Sequence, residues 1–469
     1  MYRKLEASDT PSLRNTRRTR LRTVGQHLRT LLGSPWAPST VILLGYGWWL
    51  LVAFRSGHEA RDFILVGPPF VRQAHTSTVI KLDPHYHYLP GTTGYDGQFA
   101  YFIALDPIHA RDYLDSKSSG SAGPDYRYTR ILYPMLARAL AFGQANAIPY
   151  TLIAINWLAV AFGTLAVAAW LRRKRMSPWF ALLYGLYPGI FVTVQRDLNE
   201  ALAYGLVALA VYLYELGSGR ALLAAGLAFA LASLARETTL VFSFVYALGV
   251  WNASRSGQRT IRYRILLGFI TLSFLPFVLW KGFLWYWLGS IGRTGGLYPQ
   301  LVPFRGLLAY WPWGSDGVEQ LVAIVAPAIL CLCLCIWALT RRLFRPELWA
   351  LLLNILLFVV FLNTKSYVEY YASGRIATGV VLAALYCLPL FYTLSRRIRW
   401  WIWVSALLWL SLLPALSAFP RRPVRSTDVV VDLAIVVLLW GLTRLTTLAA
   451  SASVRQPCEG SLDSKNLGV

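Results

Sequence analysis

One short segment carries the residue pattern best suited to chemistry. In Gly94-Tyr95-Asp96-Gly97-Gln98-Phe99 a lone carboxylate stands between two glycines, and glycine lets a backbone turn sharply. From Gly97 to Leu105 the pattern predicts a short helix, closed by Asp106-Pro107, because the residue before proline avoids helical geometry. Asp96 would then stand at the N-cap. Two readings follow: a carboxylate placed to take a proton from a substrate hydroxyl, or a carboxylate that only caps the helix.

Four other clusters carry charge in unusual places. Tyr126-Arg127-Tyr128-Thr129-Arg130-Ile131-Leu132-Tyr133-Pro134 spaces two arginines three residues apart. On a helix they share a face, and two guanidinium groups suit a phosphate. Ordinary anchoring to anionic headgroups is the plainer alternative. Arg236-Glu237 interrupts the apolar run from Leu231 to Phe242. Ionisable residues in such a run are costly and mark function by default, unless the two simply neutralise each other at a hinge. Arg196, Asp197, Asn199 and Glu200 form a third cluster, and Lys365, Tyr367, Glu369, Tyr370, Tyr371 and Arg375 a fourth. Lys281 stands among Trp280, Trp285 and Trp287, where its stem can snorkel to a polar boundary. His85-Tyr86-His87, near Asp83, could hold a divalent cation if extended, although a lone His-x-His in a loop is more often incidental.

The elements that must position these residues are membrane helices. Of the 469 residues 56% are hydrophobic and only 14% charged, against about 25% charged in soluble proteins. A span needs about 20 apolar residues, and roughly 17 suffice. Twelve runs qualify: 38–54, 149–171, 178–194, 200–216, 221–235, 238–252, 263–288, 319–340, 347–363, 375–394, 399–418 and 429–449. The fifth and sixth are short, either two tight spans hinged at Arg236-Glu237 or a re-entrant pair. The five cysteines have neither disulfide nor zinc spacing, so they read as small apolar residues. The first apolar run has no cleavage site after it and reads as a retained span.

The net charge is +23. In a soluble chain this would suggest nucleic acid. Here the basic N-terminus, Arg172 to Arg175, Arg255 to Arg264, Arg341 to Arg345 and Arg396 to Arg399 all fall on one side of the twelve-span topology. They follow the rule that cytoplasmic loops are basic, so nucleic acid drops out. Residues 1–37 then form a basic cytoplasmic segment, 38–449 the membrane domain and 450–469 a cytoplasmic tail. The outer side holds a long first loop, 56–148, with eight of the acids and five of the six histidines. Arg421, Arg422 and Arg425 form a basic outer loop. Counting 131–145 as a span would reverse the basic rule, so it is expected to lie in the interface as an amphipathic helix, with Arg130 and Arg138 toward the headgroups. Phe99, Phe102 and Ile103 of the preceding helix are likewise expected to face lipid.

At Tyr95-Asp96-Gly97-Gln98-Phe99, Ala104-Leu105-Asp106-Pro107, Tyr126-Arg127 to Pro134 and Leu234-Ala235-Arg236-Glu237, the chain resembles bacterial glycopolymer-formation proteins. These are multispanning relatives of the GT-C glycosyltransferases, a class that includes the dolichyl-phosphate-mannose mannosyltransferases and the lipid A aminoarabinose transferase. The resemblance implies an all-α polytopic fold in the bacterial cytoplasmic membrane. It implies an enzyme that moves a sugar from a polyprenyl-phosphate carrier to a glycan, lipid or protein acceptor at the outer face. Asp96 matches the position of the general base. Arg236, Arg127, Arg130, Lys365 and Arg375 become candidate ligands of the donor phosphate, supported by Tyr95, Gln98, Asp106, Glu237 and Tyr370. Members often carry adjacent acids or Asp-x-Asp in this loop. Here Gly97 follows Asp96, so no cofactor and no metal site is assigned. Two other readings compete: a flippase for lipid-linked glycans, which needs a polar path through the bilayer, and a non-catalytic scaffold, which needs no clustering of Asp96, Arg236 and Arg375.

Overall fold

The computed structural model describes residues 31–67, 94–112, 124–255, 262–291, 300–343, 345–394, 396–418 and 422–453. Asp83, His85, His87 and Arg421 lie outside them. Among the described residues the chain is helical, with no strand. Its principal helices are α1 (Trp36–Arg55), α2 (Gly97–Leu105), α3 (Pro124–Tyr128), α4 (Leu132–Leu140), α5 (Ile148–Arg173), α6 (Pro188–Gln195), α7 (Glu200–Leu216) and α8 (Gly219–Ala235). There follow α9 (Leu240–Arg255), α10 (Tyr263–Leu288), α11 (Ser315–Thr340), α12 (Pro346–Val360), α13 (Tyr370–Ile376), α14 (Thr378–Leu394), α15 (Arg396–Leu410) and α16 (Ser426–Ser453).

Each of the twelve apolar runs contains helix, but they are not equal. Among the described residues seven helices are long and apolar enough to cross a membrane: Trp36–Arg55, Ala145–Arg173, Tyr263–Leu288, Ser315–Thr340, Tyr370–Tyr392, Ile398–Leu416 and Ser426–Thr447. α5, with 26 residues, is about 39 Å long at 1.5 Å per residue, more than the roughly 30 Å hydrocarbon core requires. The chain is therefore a multi-pass membrane protein. The other five runs form shorter elements. The 178–194 run breaks at Tyr187, which is non-helical (φ −59°, ψ 124°) before Pro188. Proline disfavours helical geometry in the residue before it, and α6 starts afresh at Pro188 with every residue buried. Between α8 and α9 Arg236 is extended (φ −158°, ψ 122°), followed by a single 3-10 turn, Glu237–Thr239. The 221–252 stretch is thus two helices joined at that residue.

α7 and α8 form a tight pair because Gly217 adopts φ +74° after Leu216 and Ser218 accepts a hydrogen bond from the Ala221 amide. A left-handed C-cap and an N-cap on adjacent residues reverse the chain. α5 packs closely on α7, and a Cβ on Gly205 would sit 2.8 Å from the Ala159 carbonyl oxygen. Small residues permit such approach where helices associate by packing alone.

α2 does not face lipid as its sequence suggests. All of α2 is buried, with Phe99 at 6%, Phe102 at 0% and Ile103 at 1% exposure. These side chains pack into protein, not lipid. α2 is held at both ends. The Tyr95 amide donates to Leu65 O at 2.8 Å, and Gln98 Oε1 accepts from the Gly67 amide at 3.1 Å. At the other end Arg138 Nη1 donates to the carbonyls of Ala104 and Leu105 at 2.8 and 2.6 Å. Arg138 therefore satisfies the orphan carbonyls of a helix end rather than headgroups. α4 leaves Met135 and Leu140 exposed.

Candidate active site

Asp96 leaves its cap role unused. Its side chain makes no capping hydrogen bond, and its backbone is already helical (φ −61°, ψ −24°). The carboxylate turns instead to two arginines. Arg127 Nη1 donates to Oδ1 at 2.9 Å, and Arg375 Nη2 to Oδ2. The two flanking glycines allow this placement. Gly94 has φ +77°, and a Cβ on Gly97 would meet the Arg196 carbonyl oxygen at 2.3 Å. Gly97→Ala must push α2 away from that backbone. Its expected effect is a loss of roughly 1–3 kcal/mol in stability together with reduced activity, read by thermal unfolding of the purified protein.

Three more carboxylate–guanidinium contacts extend the cluster. Arg375 Nη1 lies 3.4 Å from Glu200 Oε1, and Arg236 Nη1 pairs with the same oxygen. Arg130 grips Glu237 with two bonds, Nε to Oε2 at 3.0 Å and Nη2 to Oε1 at 2.8 Å. It is aimed by the Tyr126 hydroxyl, not toward headgroups. Arg127 stacks 3.6 Å from the Phe99 ring centroid, and Arg375 lies 5.3 Å from that of Tyr95. Such faces hold a guanidinium flat while leaving its edge free to bond.

These arginines come from four separate places: α3, the turn after it, the end of α8, and α13. With Asp96, Asn199, Phe99 and Pro134 they line one cavity of about 20 Å³, enough for a single water. Four guanidinium groups against three carboxylates leave one positive charge in excess. Tyr133, three residues after Arg130, bonds Leu152 O near the start of α5, opposite the end that Arg172 and Arg173 close.

The electrostatics follow from burial. Desolvation raises the affinity of Asp96 for a proton, but Arg375, Arg127 and Arg130 outweigh it and hold the carboxyl well below the usual range. Burial likewise raises Glu237, and Arg130 with Arg236 brings it down to about 2. Asp197 is the contrast. It is fully buried, at φ +49°, and its carboxylate oxygens have no hydrogen-bond partner among the described residues. Burial alone pushes it well above the normal value. A folded-state pKa above the unfolded one means stability falls as pH rises past about 4, since the unfolded chain then binds fewer protons. Asp197→Asn is expected to gain stability over wild type from pH 4 upward. Thermal unfolding across pH checks this, and parallel curves for the two proteins would count against a buried neutral Asp197.

Not every candidate comes to the cavity. Asp106 closes the far end of α2, about 15 Å away at 1.5 Å per residue, where it bonds the amides of Ile108 and His109 and the His109 ring. Gln98 ties α2 to Gly67. Tyr370 is fully buried at the start of the helix that carries Arg375. Lys365 is exposed on a 3-10 turn and is absent from the cavity wall. Lys281 reaches Thr129 Oγ1 at 3.0 Å, beside Arg130. Two contributors are given no site role by the sequence pattern: Glu200 stands there only within a charge cluster, and Phe99 only as a lipid-facing residue. Glu200 has a legible signal, an acid opening an otherwise apolar helix. Among the described residues no three His, Cys, Asp or Glu side chains converge as metal ligands.

A second space, an apolar groove of about 750 Å³, is walled by α4, α5, α7 and the start of α1. It runs along α5 from Ile155 to Arg172, about 25 Å of helix. Pro134 and Asn199 line the polar cavity, and Leu136 and Leu202, two and three residues further along the chain, line the groove.

No family model matches the chain, and no curated protein is significantly similar to it in sequence. Among solved structures it is similar to ArnT from Cupriavidus metallidurans bound to undecaprenyl phosphate, at 15% identity over 82% of this chain and 78% of that one, with a TM-score of 0.40. The apo state of the same protein matches at 14% identity over 81% and 76%, with a TM-score of 0.37.

Proposed function

We propose that this chain is a membrane glycosyltransferase of the GT-C type, moving a sugar from a polyprenyl-phosphate carrier to an acceptor hydroxyl on the outer face. The observation that carries this reading is the union of one carboxylate and four arginines in one cavity, with a long apolar groove whose lining includes residues two and three positions from that cavity's on the same two chain segments. A polyprenyl tail suits the groove. Its phosphate suits the arginines, whose planar forks match phosphate oxygens.

The chemistry is a direct displacement. The acceptor oxygen attacks the anomeric carbon, the bond from that carbon to the phosphate oxygen breaks, and its electron pair leaves with the lipid phosphate. Asp96 takes the acceptor proton as general base. Arg127, Arg130, Arg236 and Arg375 stabilise the charge that develops on the phosphate. Phosphate leaves without an acid, so one carboxylate suffices and the anomeric centre inverts, unlike the paired acids of glycosidases. The position of the cluster, opposite the basic end of α5, supports an active site on the outer face of the cytoplasmic membrane.

The test is transfer itself. Membranes carrying the chain should move radiolabelled sugar from polyprenyl-phosphate donors into envelope material. No transfer above membranes lacking the chain, across a panel of such donors, would count against the reading.

A further inference from the structure

Asp96 occupies the cations that the proposed reaction needs. Both of its oxygens are bonded, one to Arg127 and one to Arg375. In this state it is a poor base, because the lone pairs that would take a proton are already engaged. The cavity is also too small for a phosphate, at about 20 Å³. A lipid phosphate can therefore reach these arginines only if something moves.

The two acids around Arg375 differ in how they can respond. Glu200 is 0% exposed and pairs with both Arg375 and Arg236, the latter's side chain 4% exposed. The Asp96 side chain is 26% exposed and lines the cavity. An entering anion meets Asp96, while Glu200 lies behind and keeps Arg375 anchored through its other nitrogen. Arg127 is likewise kept in place by Phe99, 3.6 Å beneath it.

We infer that the donor phosphate exchanges with Asp96 for Arg127 and Arg375, so that donor binding itself releases the base. The inference rests on the reading of the cavity as a lipid-phosphate site and adds its order of events. The phosphate brings its own negative charge to the arginines. The freed carboxylate regains ordinary basicity beside the anomeric carbon. Without donor, Asp96 stays neutralised and an acceptor hydroxyl finds no base. Donor binds first and acceptor second.

The consequence is unusual for a catalytic residue: removing it should strengthen donor binding. Undecaprenyl phosphate serves as the probe, with undecaprenol as the control lacking phosphate. Asp96→Asn is expected to bind undecaprenyl phosphate about tenfold or more tightly than wild type, as loss of a competing charge worth about 1.4 kcal/mol or more requires. Undecaprenol should bind both alike. Arg127→Ala and Arg375→Ala should weaken the phosphate probe.

Unchanged or weaker probe binding to Asp96→Asn, with the arginine variants still weakened, overturns the exchange and leaves the phosphate site standing. Arginine variants that bind the probe as wild type does overturn the phosphate site, and the exchange with it. A second measurement needs no variant that folds. In wild-type protein labelled with ¹³C-aspartate, saturating undecaprenyl phosphate should shift one carboxylate stretching band in the infrared. An unchanged spectrum overturns the exchange.

Discussion

Asp96→Asn should lower sugar transfer by about 10²–10⁴-fold, the usual contribution of a positioned general base, while leaving an inserted, folded protein. The amide matches the carboxylate in volume, so the cavity of about 20 Å³ keeps its shape. It can accept a hydrogen bond but cannot take the acceptor proton at neutral pH. Asp96→Glu is expected to fail as well, because an added methylene must enter the same small space and displace Arg127 or Arg375. The assay is transfer from a labelled polyprenyl-phosphate sugar, with size-exclusion elution confirming folded protein. Full activity in Asp96→Asn would remove the base assignment.

The second large effect concerns stability. Glu200 has no exposed surface and lies against Arg236 and Arg375. Deleting one partner of a buried ion pair leaves an uncompensated charge and typically costs about 3–5 kcal/mol. Glu200→Ala strands two guanidinium groups and should fall at the upper end of that range. The same principle holds that removing both charges is far less costly than removing one. Glu200→Gln combined with Arg236→Gln should therefore recover much of the lost stability without restoring activity. Thermal unfolding in detergent reads both. A Glu200→Ala protein as stable as wild type would mean that the pair contributes little to holding Arg375 in place.

Much of this site is legible in the amino-acid sequence, for a physical reason. Charge is expensive in an apolar chain, so Arg236, Glu237, Arg375 and the Arg127/Arg130 pair stand out against their surroundings. Asp96 stands out because glycines flank it. What sequence does not reveal is pairing. Arg236 lies next to Glu237, yet its ion-pair partner is Glu200, and Glu237 goes to Arg130. Nothing local announces a contact between residues so distant along the chain. Amphipathic pattern misleads in a related way. The apolar side chains of α2 fit lipid and protein interior equally well, and only the packing of α4 and α5 over them decides for the interior. Arg138 belongs to the same class: a basic residue near an interface suits a headgroup, until a helix end with orphan carbonyls is found beside it. Length criteria fail for a different reason. Pro188 divides an apolar run into short buried helices whose composition still reads as a span.

The proposed reaction breaks the bond between a sugar and a lipid phosphate in this cavity. The most direct measurement places the purified chain in vesicles with a polyprenyl-phosphate sugar carrying label in the sugar, together with envelope acceptor material. Label should leave the lipid, polyprenyl phosphate should accumulate in equal amount, and both events should stop in Asp96→Asn. Intact donor that crosses the bilayer with its sugar still attached would contradict it.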